Sequence, residues 1–271
     1  MSRILLIDDD PRINEVVKAT LELLGHTVAT VEDVALSRHV FSEFRPNLTL
    51  VDYALPGCSG LDLLQELGAD RPDSVRFLAT GMADFGLLRR AVAAGACSML
   101  CKPYRMADLA GLIETANLLD AALEIERAGG IPQGPAVRFE CLPHQPVQSG
   151  DLARLIALAD TVGCDPDVAW RRLPVVACEL MRNAATHGSA GVETPFSVEL
   201  SDGGRDLGLR VSTSGPAFAW EKILARARAG MDKSRASGLQ LVLALSDELH
   251  YENDGRIAHA RMVKRVVEAA S

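Results

Sequence analysis

The chain has 271 residues, 48% hydrophobic and 24% charged, which is ample apolar material for packed cores and excludes global disorder. Its 28 Lys and Arg against 36 Asp and Glu give a formal charge of -8, which argues against nucleic-acid binding by bulk electrostatics. At about 100–200 residues per domain the length predicts two domains, and the acid surplus sits in the first: residues 1–127 carry 12 basic and 19 acidic side chains, the remainder 16 and 17.

Arg3 to Ile7 is a short apolar run broken at once by Asp8, Asp9 and Asp10, so it reads as a buried strand rather than a leader. No stretch approaches the roughly 18 apolar residues of a membrane span. A cytoplasmic chain with neither membrane nor nucleic acid as partner is expected. Strands near Thr27 to Thr30, Asn47 to Val51, Val75 to Ala79 and Cys97 to Cys101 alternate with helical periodicity at about residues 11–24, 33–44, 60–68, 84–94 and 105–126. Five such βα units predict a doubly wound, five-stranded parallel sheet, an α/β fold whose functional crevice lies at the carboxyl ends of its strands.

Residues 128–135 (AGGIPQGP) then hold three Gly and two Pro, a composition that reads as a linker. Beyond it come a strand near Val137 to Cys141 and helices at about 149–162 and 167–187. Strands near 196–200 and 207–212 and helices at about 219–229 and 238–246 follow. A terminal hairpin, roughly 248–253 and 257–265, is turned by Asn253-Asp254-Gly255. Strands and helices no longer alternate strictly, so residues 136–271 are predicted to form an α+β sandwich on a mainly antiparallel sheet. The six cysteines contain no CxxC pair and read as small core residues rather than a disulfide or zinc framework.

In the first half, Asp8 and Asp9 follow the first strand, Asp52 ends the third, Thr80 the fourth and Lys102 the fifth. All five converge on one sheet edge. Clustered carboxylates repel unless a divalent cation joins them, and an all-oxygen set of this kind suits Mg²⁺. A hydroxyl and an ammonium beside such a cation can hold phosphoryl oxygens. With the motifs IDDD, VDYALPG, ATG and CKP, residues 1–127 resemble a response-regulator receiver domain, of flavodoxin-like fold. The resemblance implies that Asp52 accepts a phosphoryl group from a sensor histidine kinase or phosphotransfer protein. It makes Asp8 and Asp9, with Asp52, the Mg²⁺ ligands, Thr80 the phosphate-sensing hydroxyl and Lys102 the orienting ammonium. The family's aromatic switch position, three before the lysine, is Met99 here. Ala54 and Met82 flank the site, and neither can activate a water. The last helix carries Leu109, Leu112, Ala116, Leu119 and Leu123 at intervals of three and four, a stripe that either packs on the sheet or extends into a dimer or signalling contact.

In the second half, Glu179, Asn183 and His187 recur every four residues on one helix. Either this is a solvated polar face, or the acid and amide hold hydrated Mg²⁺ and orient an attacking hydroxyl. Segments 209–218 (LRVSTSGPAF) and 234–242 (SRASGLQLV), then Asp247-Glu248, Asp254-Gly255 and Arg261 to Arg265, follow in order. Together they resemble a GHKL ATPase module of the anti-sigma-factor serine kinase type. The resemblance implies an ATP and Mg²⁺ site, with Glu179 as general base and Asn183 as metal ligand. His187, Thr213, Gly215 and the Ser237-Gly238-Leu239 loop would surround the nucleotide, that loop offering backbone amides to phosphate. A basic lid of Lys222, Arg226, Arg228, Lys233 and Arg235 is either a set of phosphate contacts or a solvated helix face.

Two departures weaken ATP binding: Thr213 replaces the adenine-binding Asp, and Ala236 the first Gly of the phosphate loop. Losing a hydrogen bond to a charged group costs about 1.5–3 kcal/mol, roughly tenfold to over a hundredfold in affinity. His144 lies in a Pro-bracketed turn rather than on a phosphorylatable helical hairpin, which disfavours a sensor histidine kinase. The expectation is therefore a phosphorylated response regulator whose output domain acts on a protein partner, a sigma factor or anti-sigma antagonist. That output is either a regulated Ser/Thr kinase or a degenerate module that sequesters without turnover. A homodimer is compatible with both.

Overall fold

A computed structural model describes residues 1–82, 84–129, 134, 136–188, 191, 193–217, 219–229 and 237–264. Most of the expected linker, and Lys233, Arg235 and Ala236, lie outside the described residues. Described residues up to Asp120 form one compact unit and those from Ala121 onward a second.

The first unit contains β1 (Arg3–Ile7), α1 (Pro11–Leu23), β2 (Thr27–Val31), α2 (Val34–Phe44) and β3 (Leu48–Asp52). After β4 (Ala54–Leu55) and β5 (Cys58–Ser59) come α3 (Gly60–Asp70), β6 (Val75–Thr80), α4 (Phe85–Ala93), β7 (Ser98–Cys101) and α5 (Met106–Ala128), whose last turns enter the second unit. The main sheet runs β2-β1-β3-β6-β7, all parallel, so the order reverses direction beside β1 and β3. Its strands are apolar on both faces because helices cover both: β3, β6 and β7 are buried at every position. Each fully buried Leu, Ile or Phe stabilises by about 1.5–3 kcal/mol, and Ile4, Leu5, Phe41, Phe77 and Leu78 are essentially inaccessible. Polar side chains start the helices where the strands stop: Asp10 caps α1 ahead of Pro11, Asp33 caps α2, Ser59 caps α3 and Asp84 caps α4. The helix expected over 105–126 continues to Ala128, so the Gly-rich break begins one residue later than the composition implied. Its stripe of Leu109, Leu112, Ala116, Leu119 and Leu123 is buried.

The second unit contains β8 (Ala136–Cys141), α6 (Ser149–Thr161), α7 (Leu173–Asn183), β9 (Phe196–Asp202), β10 (Asp206–Ser212), α8 (Trp220–Ala229), α9 (Gly238–Leu245), β11 (Glu248–Glu252) and β12 (Ile257–Val263). Its sheet, β11-β12-β10-β9-β8, is antiparallel throughout. Alternation is clean here: Val137, Phe139 and Cys141 on β8, and Leu207, Leu209 and Val211 on β10, face the core while their neighbours do not. α7 is bracketed by π-helical turns at Val168–Arg172 and Ala184–Gly188. Pro174 at its start has no N–H to donate, and the preceding turn instead closes through Leu173 N–H to the Val168 carbonyl. The buried Arg172 ties α7 to the far end of α9, donating from Nε to the Leu245 carbonyl at 2.7 Å and from Nη2 to Asp247 at 3.1 Å. Among the described residues no helix is long and apolar enough to cross a membrane.

All six cysteines are free, as their spacing implied. Burial pushes the Cys141 thiol up to about 12 and that of Cys164 up to about 11. At pH 8 fewer than about one in a thousand of either is thiolate, and the thiolate is the reactive form. Iodoacetamide should therefore label these two only after denaturation, read by mass spectrometry. Rapid labelling of the native protein would contradict the raised pKa of these thiols.

Candidate functional site

The carboxyl ends of β1, β3, β6 and β7 bring Asp8, Asp52, Thr80 and Lys102 together, as their strand-end positions implied. The buried Asp8 and Asp52 converge on one ammonium: Lys102 Nζ lies 2.5 Å from Asp8 Oδ2 and 2.8 Å from Asp52 Oδ1. Their other oxygens are held from the backbone, Asp8 Oδ1 accepting from Asp10 N–H at 3.1 Å and Asp52 Oδ2 from Ala54 N–H at 3.3 Å. Burial raises the Asp8 carboxyl above its ordinary value, with the Lys102 hydrogen bond working against it. For Lys102, burial opposes the charge, but its bonds to Asp52 and Asp8 outweigh that and raise its pKa.

Asp9 is exposed, yet one ligand oxygen from each of Asp8, Asp9 and Asp52 lies within 4.8 Å of the others. Three convergent carboxylates form an all-oxygen donor set that fits a hard divalent cation such as Mg²⁺. Thr80 ends β6, its buried Oγ1 accepting from Met82 N–H at 3.1 Å. Met99 is completely buried, while Met82 and Ala54 are exposed at the rim. The Lys102-Pro103 peptide bond is cis.

Two features here were not read from the sequence. Tyr104 lines the pocket beside Asp8, Asn14 and Asp52, and burial first, then the two carboxylates, drive its phenol well above the ordinary tyrosine value. The hairpin β4–β5 folds the chain back so that Gly60 N–H donates to the Tyr53 carbonyl at 3.0 Å. A Cβ at Gly60 would lie 2.1 Å from the Asp52 carbonyl oxygen, so only glycine lets α3 start against the strand end that presents Asp52.

In the second unit, Glu179 and α9 do come together. An ideal Cβ at Gly238 would lie 2.2 Å from Glu179 Oε2, which places the carboxylate against the first turn of α9. Acids are favoured there by the helix dipole. Ser237 and Gln240 close a reciprocal capping box, Ser237 N–H to Gln240 Oε1 at 2.9 Å and Gln240 N–H to Ser237 Oγ at 3.3 Å, and Leu239 is half-buried beside them. Asn183, half-buried, ends α7. His187, placed on the same face by its spacing, sits in the π-helical turn and is exposed. At that end Gly215 N–H donates to the Gly188 carbonyl at 2.8 Å.

Two arginines were also missed. Arg182 Nη1 lies 3.5 Å from Glu179 Oε1 and so competes with any attacking hydroxyl for that carboxylate. Arg256 locks the Thr213 loop: its Nε donates to the Gly215 carbonyl at 2.9 Å, and its carbonyl accepts from Thr213 N–H at 2.8 Å and Oγ1 at 3.2 Å. The Thr213 hydroxyl proton is thus committed to the backbone. Of the lid, Lys222, Arg226 and Arg228 fall on α8.

Residues 4–114 match the response regulator receiver domain and residues 146–264 the histidine kinase-like ATPase domain. The chain is 34% identical over 103 residues to the C4-dicarboxylate transport transcriptional regulatory protein DctD of Pseudomonas aeruginosa, covering 38% of this chain and 22% of that protein. It is 32% identical over 107 residues to the DNA-binding response regulator MtrA of Mycolicibacterium smegmatis, covering 40% of this chain and 46% of that one. The chain therefore spans less than half the length of either relative. A crystal structure of a response regulator receiver domain protein from Clostridium thermocellum is 30% identical, covers 43% of this chain and 94% of its own, and has a TM-score of 0.41.

Gly60→Ala should force α3 off the Asp52 peptide and destabilise the fold by about 1–3 kcal/mol. The midpoint of urea unfolding measures this, and an unshifted midpoint would show that the close approach is not needed.

Proposed function

Residues 4–114 being a response regulator receiver domain and residues 146–264 a histidine kinase-like ATPase domain, we propose that Asp52 is the phosphoryl acceptor and that its modification controls the second domain's action on a protein partner. The observation that carries this is the pairing of one ammonium with two buried carboxylates at the strand ends. Asp52 attacks the phosphorus of a phosphohistidine on a sensor kinase or phosphotransfer protein, or of a small phosphodonor. A P–O bond forms as the bond to the leaving group breaks. Asp8, Asp9 and Asp52 are the residues to hold Mg²⁺, which when bound supplies charge neutralisation at the transferring oxygens. Lys102 is already bonded to the nucleophile and stays beside the new phosphoryl oxygens, and Thr80 offers its hydroxyl to them. Met99 in place of an aromatic leaves movement of the β6–α4 side to a flexible apolar side chain.

The downstream partner in this reading is a sigma factor or an anti-sigma antagonist, and Glu179 is the base of an ATP-dependent Ser/Thr kinase with Asn183 holding Mg²⁺. A second reading, sequestration without turnover, is favoured by two observations. Thr213 gives its proton to the Arg256 carbonyl and brings no carboxylate to the base, and Arg182 occupies Glu179.

Acetyl phosphate with Mg²⁺ should label the wild-type protein and leave Asp52→Asn unlabelled on Phos-tag gels; equal labelling of both would refute the assigned acceptor. Because neither Ala54 nor Met82 can activate a water, the aspartyl phosphate should outlast minutes, and a half-life of seconds would count against this account of the site. In calorimetry with Mg-ATP, Thr213→Asp should bind about tenfold or more tightly than the wild type. Absence of heat from both proteins at millimolar ATP would leave sequestration as the output.

A further inference from the structure

The outer face of the second sheet carries a cluster that the proposed chemistry does not use. Of six histidines in the chain, His250 on β11 and His259 on β12 are direct cross-strand partners. Leu249, Ala258, Ala260 and Met262 on the same strands face the core, so both histidines and Glu252 share the opposite face. The two rings stack, with centroids 4.7 Å apart and planes within 7°. Both present Nε2 to one carboxylate: Glu252 Oε1 is 3.5 Å from His250 Nε2, and Oε2 is 3.2 Å from His259 Nε2.

A tetrahedral cation bound at about 2.0–2.1 Å holds its ligand atoms about 3.4 Å apart. The two nitrogens meet different oxygens of Glu252, at 3.5 and 3.2 Å, so one of those oxygens is the ligand and the near-parallel rings turn to aim both lone pairs at the ion. One ligand atom from each of the three residues lies within 4.8 Å of the other two, so a turn of the side chains brings all three to one ion. A second observation points the same way. His259 Nε2 is buried and makes no hydrogen bond, although Oε2 is near. A buried polar atom left unsatisfied is costly, and a cation at the lone pair removes that cost. Two imidazoles with one carboxylate suit a borderline first-row ion rather than Mg²⁺ or Ca²⁺, which prefer oxygen.

The charges around the cluster make Glu252 its neutralising group. Arg261 is engaged by Glu248 at 2.9 Å and Asp206 at 3.2 Å, and Arg256 lies 3.7 Å from Asp254. Arg210, opposite His259 on β10, adds positive charge on the far side.

We propose that His250, Glu252 and His259 form a Zn²⁺ site with solvent in the fourth position, which staples the two strands of the terminal hairpin together. The test uses the full chain, stripped with a chelator and kept in excess Mg²⁺ so that the receiver carboxylates are occupied. Zinc titration should show one site per chain and raise the melting temperature, reversibly with chelator. Even outer-shell changes weaken metal affinity about tenfold, so His259→Ala and Glu252→Gln should lose at least that much and the thermal shift with it. Cobalt should give tetrahedral d–d bands without thiolate charge-transfer absorption. Wild-type affinity in the variants, no zinc-dependent shift in the wild type, or a thiolate band from the cysteines would each overturn the site. Circular dichroism checks the fold, and His250→Gln, an exposed change on the edge strand, gives the same reading should His259→Ala fail to fold.

Discussion

Asp8 and Asp52 are buried at the ends of neighbouring strands, where two bare carboxylates would repel each other in a medium that screens poorly. One ammonium, Lys102, bonds both, and the arrangement of the first unit follows from where that ammonium must come from. Breaking a buried charge cluster by removing one partner typically costs about 3–5 kcal/mol, a large part of a domain's net stability. The sheet therefore has to bring β7 to the same edge as β1 and β3 with little freedom in register, and an all-parallel sheet does so because every strand ends on that side. In the proposed function the same electrostatics serves the chemistry: the ammonium, with a cation on the carboxylates, attracts the phosphoryl group.

The second unit solves a different problem. Its sheet buries one set of alternating side chains against the helices, and α7 carries polar residues at one end of an otherwise buried helix. Glu179 is accommodated by the first turn of α9, where the absence of a side chain at Gly238 permits close approach. The π-helical turn before α7 leads into Pro174 at its start, and the one after it delivers Gly188 to the Thr213 loop. Arg172 and Arg256 tie the surrounding segments by bonds to backbone carbonyls, contacts that hold loops without specifying a ligand. Of the groups that the proposed nucleotide site calls for, the acid and the helix start are in place, while the Thr213 loop is bonded to its own hairpin.

How much of this was legible in the chain differs by feature. Strand and helix positions fell within a few residues of expectation, because uninterrupted apolar runs and three-to-four periodicity leave few alternatives over such lengths. The two-residue strands β4 and β5 were not seen, since two residues carry no period. The π-helical turns were not seen either, because their composition is that of an ordinary helix. Asp8, Asp52, Thr80 and Lys102 could be placed at one sheet edge from the chain alone because each stands at or beside the end of a recognisable strand. Tyr104, Arg182 and Arg256 were not, since each reaches its site from a loop, a helix face or a turn that no spacing ties to it.

The terminal hairpin shows the division most sharply. The sequence by itself determined that two strands flank Asn253-Asp254-Gly255, because three residues suited to positive φ separate two alternating runs. Whether His250 faces His259 or the residue beside it depended on the turn spanning four residues rather than three. A shift of one position would have moved one histidine to the opposite face of the sheet. Element identity is local chemistry, and the chain carries it in every window. Convergence of side chains is a matter of register and packing, which only the closed tertiary structure decided.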